Sequence, residues 1–325
     1  MSIRFALACS ALAAVVLAAT AGDQSSDHPA PTAAQRGPTT VEHPVATLPP
    51  QRAPTAPDCN PLASLRPQNP LPESGHMPPG STMARIAERG QLVVGIGQDT
   101  YPFAFRDEDL RQEGFDIDIV RDIAEAIFGD RDRVAFRSLS STEQLEAARS
   151  SQVDLVAAAK TITCQRREKV NFSTVYYEAG QRVLVNRASG FTSLGDLGGK
   201  RVCAARGTTS LGKILAATPK PIAVGVTAAT DCLVLLQLGE VDAITADDSL
   251  LAGMAAQDPR TESVGPRFSA EPYGIAINKD APDLVRFINA VLERRAQDGR
   301  WRASYQRWLM LLGPPPSPPT PQYRD

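Results

Sequence analysis

The stretch Val153-Asp-Leu-Val-Ala-Ala-Ala-Lys-Thr-Ile-Thr-Cys-Gln-Arg166 constrains the fold of this chain more than any other. An apolar run of six or seven residues, with a charge before it and threonine-rich polar residues after it, reads as a buried strand that ends in a loop. Thr161, Thr163 and Arg166 then lie beyond the strand's carboxyl end, where open α/β sheets bind their ligands.

From Met83 onward, short apolar runs of this kind alternate with amphipathic stretches. Leu92-Val-Val-Gly-Ile reads as a strand, and Gly114-Phe-Asp-Ile-Asp-Ile-Val opens a helix with Ile117, Val120, Ala124 and Ile127 on one face. Val134-Ala-Phe is the next strand, and Ser141 or Thr142 caps the helix before Val153. Strand, helix, strand, helix, strand implies a largely parallel, right-handed sheet. Arg182-Val-Leu-Val-Asn crosses into a second unit, with strands at Lys200-Arg-Val-Cys-Ala-Ala and Val241-Asp-Ala-Ile-Thr-Ala. Helices follow from Leu211, over Ala229 to Leu238, and after Asp247-Asp-Ser-Leu-Leu. Pro272-Tyr-Gly-Ile-Ala-Ile returns as a strand, a helix starts at Pro282, and a last helix carries Trp301, Tyr305, Trp308 and Leu312 on one face. Those aromatics either close the core of the first unit or form a stripe for a partner.

Composition divides the chain further. Most of its 27 prolines lie between Asp23 and Met83 or after Gly313, which marks a proline-rich, mostly disordered tether over residues 22–83 and a proline-rich tail over 314–325. Arg4, the apolar run Phe5 to Ala19 and the small residues Ala19-Thr20-Ala21 form a signal peptide over residues 1–21, so an exported protein is expected. A net charge of −2 gives no electrostatic reason to bind nucleic acid. All three histidines (His28, His43 and His76) sit in the tether, and there is no Cys-x-x-Cys or glycine-rich phosphate loop, so no metal and no cofactor is expected. The mature chain keeps Cys59, Cys164, Cys203 and Cys232, an even set that in an exported protein suggests two disulfides with three possible pairings.

Thr161-Ile-Thr-x-x-Arg166, followed by Val170-Asn-Phe-Ser and Tyr176-Tyr, resembles the bacterial extracellular solute-binding proteins of the polar amino-acid family, family 3. Within it the chain looks most like actinobacterial glutamate- and glutamine-binding receptors of ABC transporters. Further markers occur in order: Gly114-Phe-Asp-Ile-Asp, Leu194-x-Asp-Leu-x-Gly-Lys200, Gly207-Thr-Thr-Ser210, Val241-Asp-Ala, Tyr273-Gly-Ile-Ala and the aromatic end Trp301 to Trp308. The resemblance implies a two-lobed periplasmic-binding-protein fold of the Venus-flytrap type. Each α/β lobe is a parallel-rich sheet flanked by helices, and two crossing strands join them. Residues 84–180 and 272–313 would form lobe 1, and 181–271 lobe 2. Cys203 with Cys232 would then fall within lobe 2, leaving Cys59 to staple the tether at Cys164. Family members are often lipoproteins; Thr20 stands here where their lipid-bearing cysteine would be, which speaks against a lipid anchor.

The same resemblance assigns site residues. Arg166 matches the arginine that grips the ligand's α-carboxylate, a role suited to a planar, permanently charged fork, although an arginine after a strand is more often only a solvated charge. Thr161 and Ala159 match positions that reach the ligand's carboxylate and ammonium. Thr208 and Thr209 begin a helix whose free N–H groups favour an anion, or simply cap it. Asp247 matches the ammonium-binding carboxylate of the second lobe, leaving Asp248 to cap the following helix. For the ligand's side chain, glutamate receptors place basic residues at positions aligned with Gly97 and Gln144, and glutamine receptors place an aromatic clamp at Thr100 and Ser141; neither is present. Gln144 suits an amide, whereas Arg206 or Lys160 offers a distal positive charge or is merely solvated.

These features lead to an expected non-enzymatic monomer that captures a polar amino acid by lobe closure, glutamate or aspartate first and glutamine or asparagine second, and delivers it to an ABC-transporter permease. A receptor signalling to a membrane sensor is the alternative, and a dehydratase-type enzyme on the same fold is the more distant one.

Overall fold

The computed structural model of the chain describes residues 59–97 and 99–325. The signal segment, the tether as far as residue 58 and Gln98 lie outside the described residues.

Two five-stranded sheets organise the molecule. The first runs in the order Val134–Ser138, Leu92–Ile96, Leu155–Val156, Ala276–Ile277, Asn171–Phe172. Along Leu92–Ile96 the side chains alternate faces: Leu92, Val94 and Ile96 pack under helices Phe115–Phe128 and Pro282–Gln297, while Val93 packs with Ala147 and Ala148 of helix Gln144–Arg149. The second sheet runs Ile222–Val226, Arg201–Ala205, Ala243–Asp247, Gln181–Asn186, Thr261–Val264. Leu184, Cys203 and Ile244 face helices Ala229–Gln237 and Asp248–Gln257, and Val183, Val202 and Ala243 face Ile214 of helix Thr209–Ala216. In each sheet one strand is reversed, Ala276–Ile277 in the first and Gln181–Asn186 in the second, and each is the strand the chain enters on crossing between lobes.

The crossing segments are Tyr177–Ala179 and Glu271–Tyr273, which pair antiparallel. Arg182-Val-Leu-Val-Asn is therefore not itself the crossing but an interior strand of the second sheet, which its uninterrupted apolar pattern suits. Trp301 and Tyr305 are buried in the first lobe's core, and the Trp301 indole donates to Tyr176 O (2.8 Å) just before the crossing. The last helix stops at Trp308; Leu312 follows in a short 3₁₀ turn.

The described part of the tether departs from expectation, and the tail pairs with it. Ala63–Ser64 pairs in parallel with Gln322–Tyr323, and Arg66 N donates to the Asp325 carboxylate (2.8 Å). Asn289, buried in helix Pro282–Gln297, donates to Ser64 Oγ (3.0 Å) and Leu65 O (2.7 Å). Residues 59–83 are thus docked on the first lobe rather than disordered. Proline-rich composition shows that a segment cannot build its own core, but such a segment can still lie extended on a neighbour's. Cys59 is bonded to Cys164 and Cys203 to Cys232, with Cα separations of 6.0 and 5.6 Å. Among the described residues no helix is long and apolar enough to cross a membrane, and no acidic, histidine and cysteine cluster could hold a metal ion.

Candidate functional site

A cavity of about 270 Å³ lies between the lobes, near or below the lower end of typical ligand pockets, about 300 Å³, which suits a small ligand. Its first-lobe wall is the loop that follows Leu155–Val156. Ala159 adopts φ 46°, a left-handed conformation rare for a non-glycine residue and a mark of an over-determined turn. Its N–H is held by Asp116 Oδ2 (2.7 Å), a carboxylate in the first turn of helix Phe115–Phe128. Burial pushes the Asp116 carboxyl up to about 7, with the Tyr176 side chain and the Ala159 N–H pulling the other way. Thr161 then forms a bridge to Tyr273, so this loop is tied to the return crossing.

Arg166 stands on the short helix Cys164–Arg167, whose start is capped by Thr163 Oγ1 accepting from Arg166 N (3.1 Å). Its guanidinium is buried and donates to Thr161 O (2.6 Å) and, across the cleft, to Gly207 O (3.2 Å). These bonds engage only part of a five-donor fork. Burial lowers the arginine's pKa, while the carboxylates of Asp247 and Glu271 oppose that shift.

The facing wall belongs to the second lobe. Asp247 ends strand Ala243–Asp247; its Oδ2 accepts from the Tyr273 hydroxyl (2.6 Å), and its Oδ1 is buried without a partner among the described residues. Burial raises the Asp247 carboxyl to about 7, helped by Glu271 and Asp248; Tyr273 and Arg166 act in the opposite sense. Asp248 accepts from Ser249 N (2.9 Å) and from Gly180 N (3.1 Å) at the first crossing, and pairs with Arg267. It therefore anchors the hinge as well as the helix. Thr208 caps helix Thr209–Ala216 by accepting from Leu211 N (3.2 Å), and Thr209 Oγ1 donates to the buried Glu271 (2.8 Å). Both hydroxyls serve the scaffold, leaving the helix's first N–H groups to meet an anion.

Arg166, Thr161, Ala159, Asp247, Thr208, Thr209 and Gln144 all line this cavity. Arg206 does not: its side chain lies along strand Ile222–Val226, where a Cβ on Gly225 would meet it at 3.2 Å. Gln144 Nε2 donates to Leu139 O (3.1 Å), which leaves Oε1 as a buried acceptor without a partner among the described residues. Lys160, open to a solvated reading in the sequence, is buried and lines the cavity. Sequence reasoning overlooked Asp116 and Tyr273 as supports, although both lie inside motifs that mark the fold, Gly114-Phe-Asp-Ile-Asp and Tyr273-Gly-Ile-Ala.

The lobes are closed on one another. A Cβ on Gly253 would stand 2.3 Å from Tyr101 O, and one on Gly207 would stand 2.9 Å from Thr142 N. Two α/β lobes, two crossing strands and a cavity lined from both lobes give this chain the two-lobed periplasmic-binding-protein fold. Residues 92–310 match the bacterial extracellular solute-binding proteins, family 3, and the chain belongs to that family. It is 35% identical over 230 residues to the ABC transporter glutamine-binding protein GlnH of Bacillus subtilis (strain 168), covering 70% of this chain and 84% of that one. It is 30% identical over 244 residues to the glutamate-binding protein GluB of Corynebacterium efficiens, covering 71% and 81%. Among solved structures, the solute receptor for L-cysteine of Neisseria gonorrhoeae is similar at 28% identity and a TM-score of 0.67, covering 72% of this chain and 96% of that one.

Proposed function

We propose that the protein is an extracytoplasmic receptor that captures a free polar amino acid between its lobes and delivers it to an ABC importer. One observation carries the reading: Arg166 from one lobe and Asp247 from the other line the same cavity, the second with an unpartnered buried oxygen. An α-amino acid brings the complementary pair, a carboxylate for the guanidinium and an ammonium for the carboxylate, so its binding energy favours the closed arrangement. The names of the GlnH and GluB relatives support an amino-acid ligand and a transporter partner. Acidic side chains rank first and amide side chains second. No catalytic constellation is part of this reading.

Calorimetry with the common amino acids on purified protein tests it. Arg166→Ala should weaken binding by ~2–5 kcal/mol, because a buried ligand carboxylate would be left without its partner. Undiminished binding by that variant would refute the assignment.

A further inference from the structure

Lys160 is only 4% exposed and lines the cavity beside Arg166 and Asp247. Its backbone is held rigidly: Ala159 before it is fixed by Asp116, Thr161 after it bridges to Tyr273, and Lys160 O accepts from Gly274 N (3.0 Å). Its ammonium makes no hydrogen bond or ion pair among the described residues. Lysines are almost never this buried unless paired, since a bare charge in a low-dielectric site is costly.

We propose that Lys160 is a ligand-binding residue that selects amino acids carrying an acidic side chain. The assignment rests on the receptor reading above and adds to it the chemical class of the ligand. A zwitterion's own two charges are satisfied by Arg166 and Asp247, which leaves Lys160 as an extra cation on the wall. A neutral side chain would seal that cation in without a counter-charge, whereas a side-chain carboxylate neutralises it. Burial, and then the nearby Arg166, push the Lys160 amine well below its ordinary range, with Asp247 opposing them, so a ligand carboxylate beside it would favour its charged form. Gln144 is the feature that competes, because its buried Oε1 would accept from a ligand amide. A neutral hydrogen bond of that kind shifts affinity about tenfold, against about a hundredfold or more for a desolvated charge pair.

The test is calorimetry of the wild-type protein and Lys160→Met with L-glutamate, L-aspartate, L-glutamine and L-asparagine, with circular dichroism to verify the fold of the variant. The wild type should bind the better acid about a hundredfold more tightly than its amide isostere, and Lys160→Met should erase at least about tenfold of that ratio. A wild type that binds the amide as tightly as the acid, or a folded variant that keeps the wild-type ratio, overturns the role of Lys160 and leaves the receptor reading standing. A wild type that binds none of the four overturns both.

Discussion

Asp116 and Asp247 are both buried carboxyls whose pKa is raised to about 7, yet they do different work. Asp116 is structural. Its proton is bound more tightly in the folded than in the unfolded state, so its contribution to stability is greatest below the ordinary value of 3.8 and is lost as pH rises toward about 7. The size of that loss is of order 4 kcal/mol. Asp116→Asn keeps an acceptor for Ala159 N, and should flatten the fall in melting temperature between pH 4 and 7. Asp116→Ala removes the acceptor and should destabilise the protein by about 1–3 kcal/mol at pH 4, a difference that shrinks as pH rises toward 7. On the proposed reading Asp247 has a functional consequence instead. A ligand ammonium needs its carboxylate form, so amino-acid affinity should weaken about tenfold per unit as pH falls below about 7, measured by calorimetry across pH 5 to 8. An affinity that is flat over that range would show that the ammonium is held elsewhere. The resemblance to the family, rather than residue pattern alone, singled out Arg166 and Asp247, whose local sequence suits a solvated charge and a helix cap equally well. Asp116 carried no such mark, and Lys160 was a candidate cation whose burial could not be read, because whether a charged side chain is buried depends on what packs over it from distant parts of the chain.

At the scale of elements, the helix Asp248–Gln257 contains a glycine with no local reason to be there. Gly253 has ordinary helical geometry, and alanine would raise helix propensity by about 1 kcal/mol. The close approach of Tyr101 O from the other lobe supplies the reason, since a Cβ would lie 2.3 Å away. Gly253→Ala should therefore leave the ligand-free melting temperature unchanged or higher, yet weaken amino-acid binding about tenfold or more by blocking closure. The short helix Cys164–Arg167 shows the converse, an element too small to hold itself. Cys164 at its start is bonded to Cys59 across a sequence separation of 105 residues. Removing that link with Cys59→Ser and Cys164→Ser together should lower stability by about 2–4 kcal/mol, read from the denaturant midpoint. Strands and helices with their own periodicity were readable from residue pattern alone. The pairing of Ala63–Ser64 with Gln322–Tyr323 was not, because two proline-flanked dipeptides at opposite ends of the chain carry no local signal for each other.

At the scale of the whole molecule, both ends of the described chain dock on the first lobe, and the second lobe is an insertion between Tyr177–Ala179 and Glu271–Tyr273. The hinge is bound to the site at several points: Tyr273 holds Asp247 and bridges to Thr161, Glu271 takes Thr209, and Asp248 takes Gly180. On the proposed reading, ligand contacts and lobe closure are parts of one network, so a ligand that satisfies both lobes would stabilise the closed form. That coupling rests on the zwitterion being gripped at both of its charges. The direct measurement is calorimetry of the unmodified protein with L-glutamate, glutarate and 4-aminobutyrate, which differ by the loss of the α-ammonium or the α-carboxylate. Both truncated compounds should bind at least about a hundredfold more weakly than the amino acid. If either binds as tightly as L-glutamate, the two-lobe clasp by Arg166 and Asp247 is wrong.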